Sequence, residues 1–162
     1  MSEIQTILRV ELEKPDTAKA VDALFDQAKS AAPADVYQSL VPMIKLLEYQ
    51  SLDSITVDEI EFSTQLNDTI LYIYLYGFDS DLNQVADGIG RFVFSEFTGI
   101  VDIYQFIYSF DYVSNYVQKF DGENFLDIYS EGENVELDKK LSELDSLEER
   151  FETAISAHLK SK

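Results

Sequence analysis

Negative charge and aromatic bulk fall on the same stretch of this chain, and that coincidence limits what it can fold into. Between Leu46 and Asp138 there are 19 acidic residues against two basic ones, Arg91 and Lys119, and the same stretch holds 18 of the 21 aromatic rings. Of the formal net charge of −19, −17 lies there, while residues 1–45 sum to −2 and residues 139–162 to zero. Acidic residues alone read as a disordered tail, and aromatics alone as ordinary core. Together they require a packed domain that carries its charge on a folded surface and draws cationic groups toward it. A uniform solvent adaptation, as in a halophile, does not fit, because it would not leave both ends near neutral or keep nine lysines.

The chain has 162 residues, room for one domain over 1–162 that buries roughly two thirds of its unfolded surface. Its expected parts are N-terminal helices over 1–45, the acidic aromatic-rich middle over 46–138, and residues 139–162 within a C-terminal amphipathic helix that starts near 134. There is no cysteine, so neither disulfides nor thiolate chemistry contribute. The opening MSEIQTILRVELEK lacks a basic segment followed by an apolar run. The longest apolar run, Ile70 to Phe78, falls far short of a bilayer span. A cytoplasmic protein with no membrane partner is the expectation.

Pro15, Asp16 and Thr17 open a helical pattern to about Ala31, with Val21, Leu24, Phe25 and Ala28 at helical spacing. A second helix is predicted from Pro33, with a kink or break near Leu40 imposed by Pro42. Ile4 to Leu12 reads as a short helix or, from the alternation of Ile4, Thr6, Leu8, Val10 and Leu12, as a strand. Residues 55–64 and 69–76 read either as a β-hairpin, with Ile70, Tyr72, Tyr74 and Tyr76 on one face and Leu71, Ile73 and Leu75 on the other, or as helices. Gly77, Gly99 and Gly122 recur at helix-stop intervals and favour helices. A helix from about Ser80 carries Leu82, Val85, Ala86, Ile89, Phe92, Val93 and Phe97, with Gly88 and Gly90 weakening it locally by ~1 kcal/mol each. Helices over 100–120 and from about 134 to 160 complete the pattern. The fold class is therefore expected to be mostly α, a single-domain helical bundle of five to seven helices. The alternative is α+β with a β-hairpin at about 55–76.

On a helical wheel of residues 100–120, Tyr104, Tyr108, Tyr112 and Tyr116 form a ladder opposite the apolar face of Ile103, Phe106, Ile107, Phe110, Val113 and Val117. Such a ladder is either covered on both sides or a contact face for a partner or a second copy, as in a homodimer. The carboxylates beside it are Asp53, Asp58, Glu59 and Glu61, then Asp79, Asp81 and Asp87, then Asp121, Glu123 and Asp127, continuing to Glu131, Glu133, Glu136 and Asp138. A carboxylate array presents charge at spacings resembling a phosphate backbone, and aromatic rings supply the apolar anchors that charge lacks.

Other chemistry lacks its residues. Asp79-Ser80-Asp81-Leu82-Asn83 begins like a calcium loop, but Gln84 and Gly90 stand where glycine and glutamate are needed. The single histidine, His158, has no ligand set around it for zinc or di-iron, there is no Gly-x-Ser-x-Gly, and Gly88-x-Gly90 lacks a third glycine. No metal, cofactor or catalytic residue is expected, nor direct binding of nucleic acid, since basic patches are missing. The functional expectation is a non-enzymatic acidic binding protein. It would engage and inhibit a basic partner (a nuclease, nucleic-acid-binding or defence protein) by charge mimicry, as phage anti-defence proteins, DNA mimics and immunity proteins do. The alternatives are an acidic cytoplasmic chaperone or adaptor holding a client protein, and a small enzyme or metal protein.

Overall fold

The computed structural model describes residues 3–109 and 115–161. Strand β1 (Ile4–Leu12) resolves the ambiguity of the first segment in favour of alternation: Ile4, Leu8, Val10 and Leu12 are buried on one side and Ile7 on the other. Strands β2 (Glu61–Asn67), β3 (Ile70–Gly77), β4 (Ile100–Ser109), β5 (Tyr116–Phe120) and β6 (Phe125–Ser130) join it. The result is a six-stranded sheet in the order β2-β3-β1-β4-β5-β6, every neighbouring pair antiparallel.

Both faces of the sheet are covered. Helices α1 (Pro15–Ala23), α2 (Asp26–Ser30), α3 (Val36–Leu40) and α4 (Leu82–Glu96) pack on the face of Leu8, Val10, Ile73 and Ile103. Helices α5 (Val135–Ser142) and α6 (Leu147–Lys160) pack Leu141, Phe151, Ala154 and Ile155 on the opposite face, against Ile7, Tyr104, Phe106 and Val117. An antiparallel sheet with two buried faces explains the unbroken apolar and aromatic character of β3, and why apolar and aromatic residues occupy both faces of β4. Polar contacts also pin α6. Arg9 Nε donates to Glu152 Oε1 at 2.9 Å, Tyr72 donates its hydroxyl to the same oxygen, and Tyr74 donates to Glu148 Oε2 at 3.3 Å. Burial and then Glu152 push the Tyr72 phenol up to about 12, so it stays a donor at neutral pH.

The helical bundle is overturned, and with it the description of the chain as helical. The α+β alternative is closer, and its hairpin exists, though displaced. Its strands are β2 and β3, joined through Asp68 and Thr69, with Asp68 in the left-handed region at φ 58°. Residues 55–60 are not part of it. Residues 100–109 form a strand and not a helix. A spacing of four is close to one helical turn and is also even, so Tyr104 and Tyr108 share a face in either structure. The residues between them discriminate: Tyr104, Phe106 and Tyr108 lie on the α6 side, and Ile103 and Ile107 on the α4 side. The glycine recurrence also misleads, since Gly77 ends a strand and Gly122 lies in the β5–β6 turn.

Three helix readings change in length. The α-helix from Val36 ends at Leu40, where Pro42 predicts a break. The pattern from Pro15 is two helices, α1 and α2. The C-terminal helix divides into α5, capped by the Asn134 side chain on the Leu137 N–H at 3.0 Å, and α6, capped by Ser146 on the Glu149 N–H at 3.1 Å. The glycines inside α4 are there for close approach. A Cβ on Gly88 would stand 2.5 Å from Ile44 Cγ2, and one on Gly90 2.7 Å from Phe125 Cζ.

Candidate functional site

The expected contact residues divide into groups that the fold keeps apart. Asp53, Asp58, Glu59 and Glu61 are exposed on the segment leading into β2, at the end of the sheet where β3 gives way to α4. Asp79 and Asp81 lie beneath them, half-buried before the first turn of α4. Asp81 Oδ2 accepts the Thr56 N–H at 2.7 Å and Asp79 Oδ2 accepts the Asp58 N–H at 3.2 Å. Those two carboxylates staple the acidic segment to the helix, with the positive end of the helix dipole favouring their charge. They are engaged with backbone donors.

Asp121 and Glu123 are exposed at the opposite end, in the β5–β6 turn. Asp121 Oδ1 accepts the Glu123 and Asn124 N–H groups at 2.8 and 2.7 Å, and the backbone bond from Asn124 leads in holding its carboxyl below the usual range. From the strand register, this end lies roughly 20 Å from the first group. That is more than twice the Debye length of ~8 Å at physiological salt, so the two groups act separately. Asp127, exposed on β6, accepts the Gln118 Nε2–H at 2.6 Å.

Asp87 is half-buried on the side of α4 that faces Gln105 of β4, one helical turn from Arg91. Its Oδ1 is buried with no hydrogen-bond partner among the described residues, and burial pushes its carboxyl up to about 6 against the pull of Arg91 and Gln105. The tyrosines of the ladder differ in exposure. Tyr104 is 1% exposed, packed under α6, and unavailable to a partner. Tyr108 is half-buried, stacked on Phe106 with ring centroids 6.3 Å apart. Tyr116 is half-buried in β5 opposite Ile107, and Tyr112 lies outside the described residues.

A second arrangement has no counterpart among the expected sites. Between the ends of β4, β5 and β6 and helices α5 and α6 there is a cavity of about 210 Å³, lined by Asn115, Tyr129, Glu131, Asp138 and Arg150 among others. Asn115 and Tyr129 are 8% and 5% exposed, yet Asn115 Oδ1, the Tyr129 hydroxyl and Asp138 Oδ1 are buried with no hydrogen-bond partner among the described residues. Glu131 and Asp138 were legible only as members of an acidic run. Asn115, Tyr129 and Arg150 carried no signal, because they come from separate elements and form no motif.

Among the described residues no group of three or more His, Cys, Asp or Glu could hold a metal ion, and no helix is long and apolar enough to cross a membrane. The fold defines an antiparallel six-stranded sheet between two helical layers. No family model, curated protein or solved structure matches the chain.

Proposed function

We propose that this chain is a non-enzymatic binding protein of the cytoplasm whose exposed carboxylates engage, and inhibit, a basic nucleic-acid-binding protein by standing in for phosphates. The observation that carries this reading is the set Asp53, Asp58, Glu59 and Glu61: four carboxylates exposed within nine residues. Ion pairs of arginine and lysine among the described residues take up Glu11, Asp22, Asp26, Asp102 and Glu152 instead, so this set keeps its charge for a partner. The staples from Asp79 and Asp81 hold the segment in place, which lowers the ordering cost of docking. Uncompensated charge of this kind raises the association rate and makes affinity fall with salt.

The test is capture from native lysate with the wild type and with a D53N/D58N/E59Q/E61Q variant, washed at low and moderate salt, with mass spectrometry of what is retained. A basic nucleic-acid-binding protein retained at low salt, released at moderate salt and lost with the variant is the expected result. Retention of apolar clients alone, indifferent to salt and to the variant, would sink the reading and favour a client-holding chaperone.

A further inference from the structure

The cavity beside α5 and α6 lies apart from the acidic segment and has its own chemistry. Its polar lining is one-sided. Asn115 Nδ2 donates to Glu131 Oε2 at 2.6 Å, which leaves Asn115 Oδ1 as a free acceptor. Asp138 Oδ2 accepts the Gly132 N–H at 2.8 Å, which leaves its buried Oδ1 free as well. Glu131, Asp138 and Asn115 therefore line one cavity together with Tyr129, whose hydroxyl also has no hydrogen-bond partner among the described residues.

Another part of the lining is the Arg150 guanidinium, 5.2 Å from the centroid of the Tyr108 ring, a cation–π geometry that fixes its position. Arg150 forms no ion pair among the described residues, although Glu131 and Asp138 line the same cavity. Buried polar atoms without partners cost ~1–3 kcal/mol each, so an occupant that supplied donors to these would repay that cost. Metal does not suit it, since no cluster of three ligating side chains is found among the described residues.

We propose that this cavity binds a small zwitterion, its ammonium group on Asn115 Oδ1, Asp138 and Glu131 and its carboxylate on Arg150. An ammonium has three donors and no acceptor, which suits an acceptor cluster. A carboxylate suits a guanidinium that has no ion pair among the described residues. The volume corresponds to about seven waters, the room of a molecule with about seven heavy atoms and too little for a nucleotide. The ligand class is therefore a small amino acid, α or ω.

The experiment is calorimetric titration of the full chain with a series from glycine to 4-aminobutyrate, with n-butylamine and butyrate as single-charge probes. It is read alongside the Asn115 side-chain amide signal in nitrogen–proton NMR spectra. One member of the zwitterion series is expected to bind at least tenfold more tightly than either single-charge probe and to shift the Asn115 signal. Asp138→Asn weakens it about tenfold, and Arg150→Gln reduces it to the affinity of the amine. Both substitutions are at half-exposed positions, and their folding is checked by circular dichroism. If no zwitterion binds, the cavity holds only water and the proposal fails. It fails equally if binding leaves the Asn115 signal unmoved or survives both substitutions.

Discussion

Asp87→Asn isolates a carboxylate that the fold holds against its own charge. The carboxyl goes from 3.8 in an unfolded chain to about 6 in the folded one, with desolvation between α4 and the sheet as the main cause. The folded state therefore binds the proton more tightly than the unfolded state, and Asp87 costs stability as pH rises from 3.8 to about 6. A shift of about two units corresponds to about 3 kcal/mol at neutral pH and above. Most of that, about 2 kcal/mol, develops between about pH 4.5 and about pH 8. Asparagine abolishes the titration and keeps the shape. Whatever else it changes, including the field on buried Arg91, is to first order constant with pH and cancels when ΔΔG is compared at the two ends. The rest of the −19 charge is common to both proteins and cancels too. Urea unfolding of wild type and variant across this range should show the variant gaining about 2 kcal/mol relative to wild type as pH rises. A ΔΔG that is flat with pH, or that falls as pH rises, would refute the reasoning.

Two further substitutions probe the packing. Gly88→Ala improves helix propensity by ~1 kcal/mol but drives a methyl to 2.5 Å from Ile44 Cγ2, a β-branched side chain with little room to rotate. The net is a loss of ~1–2 kcal/mol in urea unfolding. Tyr104→Phe keeps the ring under α6 and removes a buried hydroxyl with no hydrogen-bond partner among the described residues, so it is expected to raise stability by ~1 kcal/mol and the melting temperature by a few degrees.

How far the sequence could be read varied along the chain. In α4, apolar spacing gave the right element, and in 69–76 it gave the right alternation of tyrosines against Leu71, Ile73 and Leu75, but the glycine interval then pulled that segment toward helix. In 100–109 the choice of period was wrong, because tyrosines four apart satisfy both periods and both strand faces are buried, which removes the polar alternation that marks a strand. In 134–160 the leucines run on at helical spacing across the break, so only Ser146 and Glu149 marked a second helix start. Of the site, the exposed carboxylates were legible as charge. Their separation into two ends was not, because it depends on which strand neighbours which. Asp87 reads as a surface carboxylate until the packing of α4 on the sheet turns it inward, and the choice between a covered and an exposed Tyr104 is made by α6.

What the sequence determines alone is the charge, its concentration between Leu46 and Asp138, and the aromatic supply that makes this stretch fold. Charge and volume are properties of residues and survive any arrangement. Which carboxylates meet solvent, which one is forced toward neutrality, and how Asn115, Tyr129, Asp138 and Arg150 come to share a cavity are decided by tertiary structure. Strand order and helix layering set the distances between residues far apart in sequence, and both desolvation and Coulomb interaction depend on those distances.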